Sequence, residues 1–129
     1  MNLLQPLDQL VGLIQKKEWT PLNVLHAYGR KALEAHKLTN CLTEVMIEDA
    51  EIQASKIDFD TRHGGSLAGV PVSLKDTVNV KGYDSCIGYS AWTFKPAVKD
   101  SKLVQLLKDA GAIPFVKTNV PTCLYVVLS

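Results

Sequence analysis

The sequence predicts an α/β fold in which two helices come first and strands then alternate with helices. Three observations carry that prediction. Apolar residues recur at helical spacing through the first third of the chain. From Cys41 onward, short β-branched and apolar runs are separated by longer amphipathic ones, the pattern of strands joined through helices into parallel pairs. Two of the short runs, "VPVSLK" (70–75) and "AIPFVK" (112–117), are apolar at nearly every position, as interior strands covered on both faces are.

Taken in order, Leu7, Leu10, Val11 and Ile14 form the stripe of a first helix that ends near Lys16 and Lys17, where cations suit the dipole. Thr20 is a capping residue and Pro21 fits the first helical position of a second helix, whose face is Leu25, Tyr28, Ala32 and Leu33. The short connection makes the pair an αα-hairpin. A Thr-Asn turn leads into a strand at "CLTEV" (41–45). "IEDAEIQASKIDF" then reads as a helix with Ile47, Ala50, Ala54 and Ile57 on one side. "DTRHGGSLAG" (60–69) is loop by composition, and the stretch 79–98 is irregular, with turn signals at Gly82 and Gly88. "DSKLVQLLKDAGA" gives the clearest helix: Asp100 or Ser101 caps it, Leu103, Val104 and Leu107 face inward, and Gly111 stops it. "AIPFVKTNVP" begins as a strand and ends in a turn.

Bulk properties restrict the function. The 129 residues suffice for one domain, and 47% hydrophobic with 21% charged residues is ordinary for a soluble globular chain. Fourteen basic and 13 acidic residues leave a net charge of +1, too little to gather nucleic acid or an anionic membrane. Cys41, Cys86 and Cys123 form no CxxC pair, which fits a reducing compartment and a cytoplasmic location. His26, His36 and His63 lack metal-site spacing. The start "MNLLQPLDQL" does not read as a signal peptide, and no apolar run is long enough to span a bilayer.

Lys75 poses the main chemical question. It is a solvated strand end or a base. Ser73 lies two residues earlier on the same strand face, so a Ser-Lys pair is open to it. A lysine base must be neutral, which means lowering a free value of ~10.4 by about three units, roughly 4–5 kcal/mol that burial has to impose. A strand serine has no strained turn and no adjacent oxyanion donors, which weakens that pair. Asp76 and Asp84 read as residues that pin turns. "RHGGS" opens no helix and is a poor phosphate cradle. "KTN" (Lys117 to Asn119), at a strand end, is a functional candidate, although Asn119 is expected to bond its local backbone; His26 and His36 are expected to pack or be solvated. Trp92 and Phe94 are expected in a satellite core, with a substrate wall as the alternative.

The blocks "LTNCLTEV" and "LAGVPVSLKDTVNVKGYDSCIGYSAWTFKPAVKDSKLVQLLKDAGAIPFVKTNVP" carry a resemblance. They are similar to amidase-signature enzymes, particularly the fungal acetamidase and fatty-acid amide hydrolase branch. The G-V-P-V-S-L-K-D block, the KG segment, the helix ending in AGA and the strand into KTN-P follow one another at the family's spacing. The resemblance implies a mixed-sheet α/β/α fold, with 1–121 as the first portion of an amidase domain, clearest over 38–121, and 122–129 as a tail unlike the family. It implies hydrolysis of small-molecule carboxylic amides by a Ser–Ser–Lys triad without metal or organic cofactor. Lys75 maps onto the catalytic base, and Ser73 is not the nucleophile. Both triad serines and the oxyanion loop belong to a Gly/Ser-rich segment expected beyond Ser129. The 129 residues alone are therefore expected to be inactive. The rival reading is a non-catalytic product that binds by sheet pairing, as a homo-oligomer or aggregate through an exposed edge.

Overall fold

The computed structural model describes residues 5–57 and 65–125. His63, the end of the predicted third helix at Asp58 and Phe59, and the last four residues lie outside that set. Helices α1 (Leu7–Gln15), α2 (Pro21–Thr39), α3 (Ile47–Ser55) and α4 (Lys102–Asp109) accompany strands β1 (Leu42–Val45), β2 (Pro71–Lys75) and β3 (Ile113–Thr118). Their order is the one read from the sequence.

Local chemistry sets the boundaries. The Thr20 side chain accepts from the Asn23 amide at 3.2 Å, and Pro21 opens α2 with no amide to leave unpaired. Asn40 ends α2 in the left-handed region at φ 52°, its amide returning to His36 O. Ser101, rather than Asp100, caps α4. Gly111 follows α4 at φ 84°, and a Cβ there would sit 2.7 Å from the Ala68 Cα. Only glycine both takes that angle and lets the 67–69 turn come so close.

The sheet runs β1-β3-β2. β2 and β3 are parallel, as the alternation of elements predicts, but β1 is antiparallel to β3. β1 ends and β2 begins beside the same end of β3, so the connection through α3 does not carry the chain back across the sheet as a parallel pair requires. β3 is the central strand and is buried almost throughout. Its Pro114 lacks a ladder donor, and the register skips Phe115 beside it, so the proline sits at a bulge. β2 differs from the interior strand expected of it. It lies at the edge of this sheet, with Ser73 and Lys75 exposed.

The core has three parts. Leu25 of α2 and Ala50 and Ala54 of α3 pack on Ile113, Phe115 and Val116. Leu10 and Ile14 of α1 pack with Val24 and Val70. Met46, Leu74, Val80 and Val104 close the side under α4. Each large side chain so enclosed contributes roughly 1.5–3 kcal/mol. Three residues read as inward do not bury: Leu7, Leu33 and Leu103 are exposed, because each lies at the margin of its helix's stripe. Among the described residues, no helix is long and apolar enough to cross a membrane.

Gly111→Ala is expected to lower the unfolding free energy by about 2–3 kcal/mol, from the positive φ and the contact with Ala68 together. Urea denaturation of the two proteins measures it. An unchanged midpoint would mean that the 67–69 turn yields without cost.

Candidate functional site

The C-terminal ends of β2 and β3 lie side by side, with Leu74 opposite Lys117 and Lys75 opposite Thr118. Alternation along β2 sends Leu74 inward and leaves Ser73 and Lys75 on the open side, and Asp76, the first residue after the strand, is buried. The peptide that follows Lys75 is held through both its carbonyl and its amide. Its carbonyl accepts from the Val78 amide at 2.9 Å, and the Asp76 amide donates to Thr118 O at 2.9 Å. Ser73 and Lys75 share a face, yet no hydrogen bond joins them among the described residues.

Beneath this open end lies a polar centre that the sequence reading did not anticipate. Lys117 is 0% exposed and Asp76 1%. The Lys117 Nζ stands 3.8 Å from Asp76 Oδ1, donates to Ser85 Oγ at 2.7 Å, and donates to the Asp84 carbonyl. Asp76 Oδ1 accepts from Thr43 Oγ1 at 2.9 Å, and Oδ2 accepts from the Ile87 amide at 2.7 Å. The Thr43 contact arises from a bulge. The β1 register passes from Leu42 to Glu44 and leaves Thr43 as the extra residue, whose hydroxyl is re-aimed at the carboxylate. Burial pushes the Lys117 pKa below its ordinary 10.5, against the opposing pull of Asp76, Glu44, Cys86 and Asp84.

The loop after β2 is held by carboxylates. Asp84 Oδ2 accepts from the Phe94 amide at 2.6 Å, while the Asp84 amide donates to Glu44 Oε1 at 3.0 Å. Asp84 and Asp76 thus pin turns as expected, and Asp76 also serves the buried lysine. Ile87 sits at φ 43°, an angle costly for a β-branched residue, with its amide bonded to Asp76. Tyr83 donates to Asp49 at 2.6 Å, and burial, then Asp49, raise its pKa well above the usual phenol value.

The remaining candidates fall out simply. Asn119 Oδ1 accepts from the Val120 amide, a local backbone bond as read. His26 meets Glu51 at 2.7 Å between α2 and α3, and His36 Nδ1 accepts from the Leu42 amide. Trp92 and Phe94 form no satellite core. They are 48% and 91% exposed, and the Trp92 ring lies against that of Tyr89, at 5.1 Å between centroids. Their loop carries short polar bonds and no inward apolar face, so nothing draws them in. Among the described residues, no three His, Cys, Asp or Glu side chains gather as a metal site. Lys117 was legible only indirectly. "AIPFVK" is apolar on both faces, so the lysine ending it is enclosed with the rest and needs a buried anion.

A family model described as Amidase matches residues 23–128. The chain belongs to the amidase family. Among curated relatives of this amidase-family chain, Amidase 2 of Gibberella moniliformis is 46% identical over 119 residues, covering 89% of this chain and 23% of the relative. Fatty-acid amide hydrolase 1 of Sus scrofa is 42% identical over 125 residues, covering 97% of this chain and 21% of the relative. A solved fatty acid amide hydrolase superposes with a TM-score of 0.82 at 29% identity, over 91% of this chain and 21% of that one. The chain thus spans between a fifth and a quarter of the relatives it matches, and its mixed α/β arrangement is part of the amidase-signature fold.

Lys117→Met should cost about 3 kcal/mol at neutral pH, since it leaves Asp76 buried without its cation. The pH dependence has a definite sign. A depressed lysine binds fewer protons folded than unfolded, so its contribution to stability rises with pH in the window below 10.5. Cys86, held above 9.0 by burial, works oppositely from pH 9 upward. The difference between wild type and Lys117→Met isolates the lysine: the gap should widen as pH rises toward 10. Denaturation at stepped pH reads it, and a gap independent of pH would refute the buried, depressed ammonium.

Proposed function

We propose that this chain supplies the general base of a serine amidase, with Lys75 in that role, and that the substrates are small carboxylic amides. The observation that carries the reading is the position of Lys75: it ends β2 inside the "VPVSLKD" block, on the open side of the sheet, with the peptide that follows it hydrogen-bonded through both carbonyl and amide. The amine of Lys75 takes a proton from a relay serine, which takes one from a nucleophilic serine. The nucleophile's oxygen bonds to the amide carbonyl carbon, and backbone amides stabilise the oxyanion. As the tetrahedral species collapses, the C–N bond breaks and the amine leaves with the returned proton. Water then hydrolyses the acyl-enzyme by the same relay. Both serines come from residues outside these 129. So does the cover that excludes water from Lys75 and keeps its amine neutral. This cycle requires neither a metal nor an organic cofactor. The unpaired cysteines among the described residues favour a reducing, cytoplasmic setting.

In an amidase of full family length carrying this segment, Lys75→Ala is expected to abolish turnover of short aliphatic amides with the fold intact. Near-wild-type turnover would return Lys75 to the role of a solvated strand end. The 129-residue polypeptide alone is expected to hydrolyse no amide above its own Lys75→Ala control. A second reading, self-association, is favoured by the free edge of β2. It is checked by size-exclusion chromatography at micromolar concentration, where a sharp monomer peak without ANS binding would exclude it.

A further inference from the structure

We propose that Lys117 and Asp76 are positioning residues for the amidase reaction, a buried clamp that fixes the aim of Lys75 from the opposite face of the sheet; this rests on Lys75 as base. Three features point beyond a generic core pair. First, the clamp and the base are adjacent in the chain. Asp76 is the first residue after β2, buried where Lys75 is exposed, and the peptide the two share is hydrogen-bonded through both its carbonyl and its amide, so holding Asp76 inward fixes the backbone that carries Lys75. Second, the clamp gathers four separate segments at the one end of the sheet where Lys75 sits. Thr43 comes from β1, Asp76 from the end of β2, Lys117 from β3, and Ser85, the Asp84 carbonyl and the Ile87 amide from the following loop. A pair needed only for stability has no reason to collect all four there. Third, the clamp holds strain: Ile87, at positive φ, is bonded to Asp76, and strained backbone persists where its surroundings over-determine it.

Lys117 itself is closed to substrate. It is fully buried and its ammonium is taken up by Ser85, the Asp84 carbonyl and Asp76. It therefore acts through Asp76 and not on the reacting atoms. A base displaced by a fraction of an ångström loses rate while substrate binding is kept.

The test uses an amidase of full family length carrying this segment and a short aliphatic amide as substrate. Asp76→Asn keeps the shape and one acceptor oxygen but removes the charge. Its kcat is expected to fall by about tenfold or more with KM within about twofold. Combined with Lys75→Ala, it should lower the residual rate no further than Lys75→Ala alone, because a residue acting through Lys75 has nothing left to act on. A purely structural role would instead multiply the two losses. Thr43→Val, an exposed position whose hydroxyl reaches Asp76, is the milder variant if Asp76→Asn does not fold. It should lose kcat by a few fold, again masked by Lys75→Ala. Wild-type kcat in these variants, or losses that multiply on the residual rate of a severely impaired Lys75→Ala, overturns the clamp alone. An active Lys75→Ala overturns the base assignment, and the clamp with it.

Discussion

A lysine ammonium enclosed by a small domain requires a compensating network, and much of this fold is arranged around that requirement. Lys117 is the next-to-last residue of the central strand, so its charge lies where β1, β2 and the 84–87 loop meet. Each neighbour supplies something: a carboxylate from the end of β2, a hydroxyl and a carbonyl from the loop, and a bulge in β1 that turns Thr43 onto the carboxylate. Coulombic attraction in a water-poor site is strong but answers a desolvation cost of similar size. The net contribution to stability is therefore small, and the arrangement is better understood as specifying a geometry. Substituting apolar residues would fill the same space without fixing where the loop crosses the strand ends.

The helices were readable because their signals are local. Thr20-Pro21, Asn40, Ser101 and Gly111 each act within a turn, so their chemistry is visible in a few letters. Strand positions were readable for the same reason, from short runs bounded by turn residues. Strand partners were not. The antiparallel placement of β1 depends on residues far along the chain, and the alternation of elements suggested parallel pairing throughout. The edge position of β2 likewise follows from which strands the segment contains, a property that its own composition does not carry.

At the site, the contrast between the two lysines is instructive. Lys75 drew attention through a motif, and the structure leaves it on the open side of the sheet. Lys117 reads as an ordinary strand-end lysine, yet it is the enclosed one. Periodicity could have shown this, since four buried residues precede it on a strand covered on both sides. Its partners could not have been read in advance. The bulges at Thr43 and Phe115 shift the register on either side, and a one-residue slip changes which side chain meets which. The exposed aromatics of the 89–94 loop escaped for a related reason: hydrophobicity alone says nothing about whether a loop has a surface to lie on.

The sheet order has a consequence for synthesis. β3 is the last strand of the three and sits between the other two, so neither β1 nor β2 has a partner until Thr118 has left the ribosome. Until β3 emerges, the α1–α2 hairpin can form from near-neighbour contacts. The apolar runs of β1 and β2 wait unpaired, and the closing pairings join distant positions, which is slow. For this sheet, the interval in which unpaired apolar strands are exposed to aggregation closes when β3 emerges.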